Sequence, residues 1–204
     1  MKIICIGRNY AEHAKELNND IPEEPLFFLK PETALIPQHH PFIYPDFTSD
    51  LHYECELVLR ISRLGKHIEK KFAHKYYAEI GIGIDFTARD LQQKQKAKGL
   101  PWEIAKAFDH SAPVSQRFLP VEQFADLRQI EFSLRVNGEV RQLGNTRDLI
   151  FDFDTLISHV SKYCTLKIGD LLFTGTPEGV GPVRVGDRLE CFIGEEKLLV
   201  LDVK

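Results

Sequence analysis

One stretch limits what this chain can become. From Leu51 to Ile61 residues alternate: Tyr53, Cys55, Leu57, Leu59 and Ile61 fall on one side, His52, Glu54, Glu56, Val58 and Arg60 on the other. A period of two is the mark of a strand, not a helix. Met1–Ile6, Glu79–Ile84, Leu171–Phe173, Arg188–Ile193 and Leu198–Val203 read as further strands between turn residues. Gly81 and Gly83 mark a place where something approaches the backbone closely. Ile130–Leu143 reads as a hairpin around Asn137-Gly138, a favoured two-residue turn. Helices are few. Asn9, with Glu12 three residues on, can cap one from Tyr10 to about Leu17. Thr87 and Asp90 can open another that runs to Lys98 and stops at Gly99 and Pro101. Thr155–Cys164 carries an apolar stripe of Leu156, Ile157, Val160 and Cys164. Strands outnumber helices without a regular βαβ alternation, so the expected class is a strand-rich α+β fold.

The 204 residues suit one domain over 1–204, with no Gly/Ser linker and no repeat. The Pro-rich stretch Ile21–Pro45 reads as a long irregular segment, a kind that often has a functional role. A net charge of −4 gives no electrostatic reason to expect nucleic acid. No apolar run approaches the roughly 20 residues of a transmembrane helix, and no secretory start is visible, so neither a membrane nor export is expected. Cys5, Cys55, Cys164 and Cys191 form no CxxC pair and read as core residues of a cytoplasmic protein.

Glu54 and Glu56 share a side of their strand, where two carboxylates repel unless a cation sits between them. Carboxylate oxygens suit Mg²⁺, Mn²⁺ or Ca²⁺ better than zinc. An exposed strand edge would show the same pattern. Asp85, at the end of the apolar run Ile80–Ile84, is a third ligand or a turn residue. His13 and Glu16 share a helix face, where the carboxylate can orient the imidazole as a base, or both simply face solvent. Lys106, inside the largely apolar Trp102–Phe108, either reaches solvent or serves a buried anion. Arg89 and Gln92 also share a face. The loop Phe173–Gly181 can cradle a carboxylate with backbone N–H groups and Thr176, or is a plain turn; it lacks the phosphate-binding and dinucleotide fingerprints.

Gly7–His13, Phe28–Pro31, His52–Leu57, Asp85–Gln92, Gly99–Trp102, Ala105-Lys106, Thr174–Pro177 and Gly179–Pro182 come in one order across nearly the whole chain. In that order they resemble the fumarylacetoacetate hydrolase family, in its short branch of acylpyruvate hydrolases and oxaloacetate decarboxylases. The resemblance implies a mixed β-sandwich roll with a few short helices, usually a homodimer. It implies Glu54, Glu56 and Asp85 as ligands of Mg²⁺, or of Mn²⁺ or Ca²⁺. It implies His13 and Glu16 as a water-activating dyad on a lid, and Lys106 as the active-site lysine. Arg89, Gln92 and Thr176 would hold the carboxylate and oxo end of a small 2-oxo acid. The expected reaction is hydrolysis of a C–C bond in 2,4-dioxo acids of the acylpyruvate type, giving pyruvate and a carboxylic acid. Oxaloacetate decarboxylation or 2-oxo/enol isomerisation on the same site is the alternative, and a metal-binding protein without turnover is a third reading. The presence of both His13 and Glu16 favours hydrolysis. Ala107 and His110 depart from the family pattern and are expected to reshape the pocket. Cys55 points away from the two glutamates and is not expected as a ligand.

Overall fold

The computed structural model describes residues 1–16, 20–37 and 40–204. The elements are β1 (Ile3–Gly7), α1 (Ala11–Glu16), β2 (Leu26–Lys30), β3 (Leu51–Tyr53), β4 (Cys55–Ile61), β5 (Tyr77–Ile84), β6 (Thr87–Ala88), α2 (Arg89–Ala97) and α3 (Glu103–Lys106). They continue with β7 (Leu119–Pro120), β8 (Glu131–Val136), β9 (Glu139–Asn145), α4 (Phe153–Tyr163), β10 (Leu171–Phe173), β11 (Gly181–Pro182), β12 (Arg188–Ile193) and β13 (Glu196–Asp202). The strand-rich α+β expectation holds.

The strands form three sheets, ordered β2-β1-β10-β4-β5-β7, β11-β3-β6 and β13-β12-β8-β9. The first sheet is mixed, since β1 runs parallel to β10 and antiparallel to β2. One apolar cluster spans all three sheets and includes Leu57, Ile82, Leu51, Phe86, Leu134 and Leu189, with Leu156 and Val160 of α4. No helix among the described residues is long and apolar enough to cross a membrane.

The long alternating stretch is a correction to the sequence reading. It is two strands, interrupted at Glu54. Before the break, β3 pairs with β6 and β11; after it, β4 pairs with β5 and β10. The chain changes sheets at Glu54 while keeping its alternation, because both sides of β4 are buried, Val58 included. Gly81 and Gly83 of β5 are pressed by rings: a Cβ would lie 2.7 Å from Phe118 or Phe173.

Two caps also differ. Asn9 is fully buried and does not cap α1. Its Nδ2 donates to the carbonyls of Thr174 (2.8 Å) and Phe151 (3.1 Å), and its Oδ1 accepts from the Phe151 N–H (2.8 Å). A buried amide with three backbone partners is worth more there than as a cap. The expected end of α1 at Leu17 lies outside the described residues. Thr87 gives its hydroxyl to the Asp85 carbonyl, so α2 opens at Arg89, while Asp90 accepts from Thr48 and from the Leu91 N–H. The hairpin follows expectation: Asn137 (φ 53°) and Gly138 (φ 86°) both take the left-handed conformation of the tight turn between β8 and β9. α4 is capped by Asp152, whose side chain accepts from the Thr155 N–H at 2.8 Å.

Candidate active site

Three strand ends meet at one place. Glu54 precedes β4, Asp85 follows β5, and Thr174 follows β10. Antiparallel register sets Cys55 opposite Ile84 and Glu56 opposite Gly83, and the Asp85 N–H donates to the Glu54 carbonyl at 2.8 Å. The carboxylates of Glu54, Glu56 and Asp85 are therefore gathered, with one oxygen of each within 4.8 Å of the others, and all three are buried. An exposed strand edge does not describe them. Cys55 is buried and is not part of this cluster.

Cations are fitted to two of the three acids. Lys106 Nζ bonds Glu54 Oε2 and Asp85 Oδ2, both at 2.7 Å. Arg89 reaches Glu54 Oε1 at 2.6 Å and Gln92 Oε1 at 2.7 Å. Lys30 Nζ lies 2.7 Å from Asp85 Oδ1 and also donates to the carbonyl of Ser111 at 2.9 Å. Burial pushes the Glu54 carboxyl up, but Lys106 and Arg89 outweigh it and hold it below the usual carboxylate range. Burial likewise opposes the charge on Lys106, yet Asp85 and Glu54 raise its ammonium above the usual lysine range.

Glu56 is different. Among the described residues no ion pair reaches it; its bond comes from the Gly175 N–H, at 2.7 Å. Burial first, then the charges of Asp85 and Glu54, push its carboxyl well above the ordinary range. A divalent cation would supply the charge that Glu56 lacks, and an all-carboxylate donor set suits a hard one. The residues present thus fit such a metal.

The Thr174–Gly179 loop closes over this cluster. Its Gly175 N–H cradles the protein's own Glu56, and the Thr176 hydroxyl donates to the Cys55 carbonyl at 2.9 Å while accepting from Gln142 Nε2 at 2.8 Å. Helix α1 lies against the same loop. Glu16 accepts from the Gly179 N–H at 3.1 Å through Oε1, and its Oε2 meets His13 Nδ1 at 3.1 Å.

One cavity is lined by His13, Glu54, Glu56, Asp85, Arg89, Gln92, Lys106 and Thr176, and Glu16 stands behind His13. The structure thus brings the sequence-predicted residues together. Ala107 and His110 are not among the lining residues. Sequence reasoning missed Lys30, Arg8, Lys96 and Trp102. Arg8, Lys96 and Trp102 line the cavity, and Lys30 holds Asp85 from behind it. Arg8, Lys30 and Trp102 lie inside the segments Gly7–His13, Phe28–Pro31 and Gly99–Trp102 that carry the resemblance, which was the available signal for them; Lys96 lies outside every such segment.

The comparisons with known proteins agree with this geometry. The model of the fumarylacetoacetate (FAA) hydrolase C-terminal family matches residues 2–202. The chain is 45% identical to mouse mitochondrial oxaloacetate tautomerase FAHD1, over 94% of this chain and 86% of that protein. It is 45% identical to the mitochondrial oxaloacetate decarboxylase of Dictyostelium discoideum, over 94% of this chain and 88% of that protein. Among solved structures, fumarylpyruvate hydrolase from Pseudomonas aeruginosa, in complex with Mn²⁺ and pyruvate, superposes with a TM-score of 0.92 at 40% identity, covering 100% of this chain and 89% of that one. With the buried acidic trio, its cations and the adjoining His–Glu pair in one cavity, the chain belongs to the fumarylacetoacetate hydrolase family and is an enzyme of it.

Proposed function

We propose that the enzyme interconverts the enol and keto forms of oxaloacetate, moving a proton between the 2-oxygen and C3. One observation carries this reading: the 45% identity to an oxaloacetate tautomerase over 94% of this chain, to which the cavity adds a base, His13 held by Glu16, beside the acidic trio, Lys106 and Arg89. Proton transfer next to a 2-oxo group needs that set and no further group. A divalent cation on Glu54, Glu56 and Asp85, Mg²⁺ or Mn²⁺, would polarise the 2-oxo oxygen and lower the energy of the enolate charge. Glu16 accepts from the Nδ1–H of His13, which leaves Nε2 to take or return the C3 proton. Lys106 adds fixed positive charge beside the same oxygen. Arg89 and Gln92 hold the adjacent carboxylate, while Thr176, whose hydroxyl proton is given to the Cys55 carbonyl, shapes the wall beside them. Names of relatives such as the mouse tautomerase support the reading.

Hydrolysis of acylpyruvates is the second reading, favoured by the likeness to the Pseudomonas fumarylpyruvate hydrolase. The dyad does not separate the two, because one base serves to move a carbon-bound proton or to activate a water. Decarboxylation of oxaloacetate passes through the same enolate. The reading takes 1–204 as one catalytic domain. Four free cysteines, three of them buried, suit a reducing compartment such as the cytoplasm. A homodimer belongs to the same reading, and the apolar groove of Leu26, Leu29, Leu100 and Trp102 is a surface that would serve it.

The test follows the decay of the enol's ultraviolet absorbance beside pyruvate release from acetylpyruvate, with Mn²⁺ and with EDTA. Metal-dependent acceleration of enol decay is expected. His13→Ala should lower kcat about 10²–10⁴-fold and leave Mn²⁺ affinity unchanged. Pyruvate release from acetylpyruvate, without any effect on the enol, would replace tautomerisation by hydrolysis.

A further inference from the structure

The Arg89 guanidinium presents a fork of N–H donors, and only part of it is held. Nη1 is spent on Gln92 and Nη2 on Glu54, through one bond each. The Nε–H is buried and has no hydrogen-bond partner among the described residues. A buried donor without an acceptor is costly. On the neighbouring strand β3 a buried nitrogen, Nδ1 of His52, is likewise without a partner among the described residues.

Backbone register brings these two side chains together. His52 stands opposite Thr87 of β6, and Leu51 stands opposite Ala88. The ladder runs one pair further, where the Arg89 N–H donates to the Asp50 carbonyl at 2.7 Å. Residues two apart on a ladder share a side, so His52 and Arg89 are diagonal neighbours on one face, with Asp50 and Thr87. Asp50 fixes the ring as well as the backbone: its Oδ1 lies 2.9 Å from His52 Nε2. With Nε2 donating to that carboxylate, Nδ1 of the neutral ring keeps a lone pair to accept with. Burial, and next the charge of Arg89, push the His52 imidazole below the usual histidine range, in keeping with a neutral ring beside a guanidinium.

We infer that His52, set by Asp50, is a positioning residue for Arg89: its Nδ1 accepts from the Arg89 Nε–H, directly or through one water, and so aims the remaining Nη protons at the carboxylate of the 2-oxo acid. This deepens the reading of Arg89 as a seat of that carboxylate and rests on it. A guanidinium held at Nε, Nη1 and Nη2 keeps its free edge in place before the ligand arrives, which lowers the cost of binding. The planar fork makes this possible; a lysine ammonium has no such second edge.

The test is calorimetric titration of pyruvate into the enzyme at saturating Mn²⁺, which requires no turnover. Asparagine carries a polar atom where the ring carries Nδ1, and glutamine carries one where the ring carries Nε2. His52→Leu should bind pyruvate about 10-fold more weakly than wild type, the loss of one hydrogen bond to a charged group. His52→Asn should recover most of that affinity, and His52→Gln should not. In an Arg89→Lys background, which lacks the Nε–H, His52→Leu should cost nothing further. Pyruvate affinity within about twofold of wild type in His52→Leu, with only the unfolding midpoint lowered, would make His52 merely structural and overturn the inference. Equal recovery by asparagine and glutamine, or additive losses in the double variant, overturns it too. Arg89→Lys with wild-type affinity for pyruvate overturns the reading of Arg89 itself, and the inference with it; a weakened Arg89→Lys beside an unaffected His52→Leu overturns the inference alone.

Discussion

Lys30 and Lys106 show how single residues set the site. Both are buried, and both meet Asp85 at 2.7 Å. Lys106 faces the cavity, while Lys30 does not line it and fixes the carboxylate from the other side. Removing one partner of a buried ion pair leaves a charge without compensation. Lys30→Met should therefore cost about 3 kcal/mol, at the lower end of such losses because Lys106 remains on Asp85. Denaturant unfolding of the metal-free protein measures it, and added Mn²⁺ should narrow the difference; a loss under about 1 kcal/mol would show that Lys30 is dispensable. The acidic ligands were legible in the sequence because alternation and strand ends put Glu54, Glu56 and Asp85 where carboxylates conflict. Lys30 was not, because its partner is 55 positions away and only the fold joins them. Asn9 misled for the opposite reason: a residue suited to capping was claimed by long-range backbone partners.

At the scale of elements, α1 and the Thr174–Gly179 loop act as a clasp around Glu56. Asn9 ties the start of the helix to Thr174, Glu16 ties its end to Gly179, and Gly175 between them holds Glu56. Local pattern foretold the hairpin and α4, whose signals are contained in a few neighbouring residues. It failed at Glu54, because a change of sheet leaves alternation intact when both sides stay buried. α4 also gives a pH-dependent expectation. Against partial burial, the Thr155 hydroxyl and N–H and the Lys70 ammonium hold the Asp152 carboxyl below its usual range. A carboxyl lowered on folding stabilises the protein above its unfolded pKa, and the gain is lost as pH falls through the folded value. Asp152→Ala should cost about 1 kcal/mol at neutral pH. The difference from wild type should shrink on acidification below about pH 4, the ordinary aspartate range. Urea midpoints at neutral and acid pH test this; a constant difference would mean that the charge plays no part.

The whole molecule places the cavity where the chain passes from one sheet to another, at Glu54 between β3 and β4. Class and approximate strand positions could be read from periodicity. Sheet order could not, since the parallel pair β1–β10 joins Ile3 to Leu171 across most of the chain. The same distance explains why the sequence offered acids, bases and cations as separate fragments while the fold supplies one site with unequal charge. Its central element is the trio Glu54, Glu56 and Asp85, in which no cation among the described residues is seated on Glu56. The most direct measurement is Mn²⁺ titration of the metal-free protein, with Glu56→Gln and Asp85→Asn beside it. Wild type should bind one ion per chain, and saturation at about 100 times Kd should raise stability by about 2.7 kcal/mol. Both variants should bind at least about 10-fold more weakly, the loss of one charged ligand. Wild-type affinity in both variants would contradict the assignment of this trio as the metal centre.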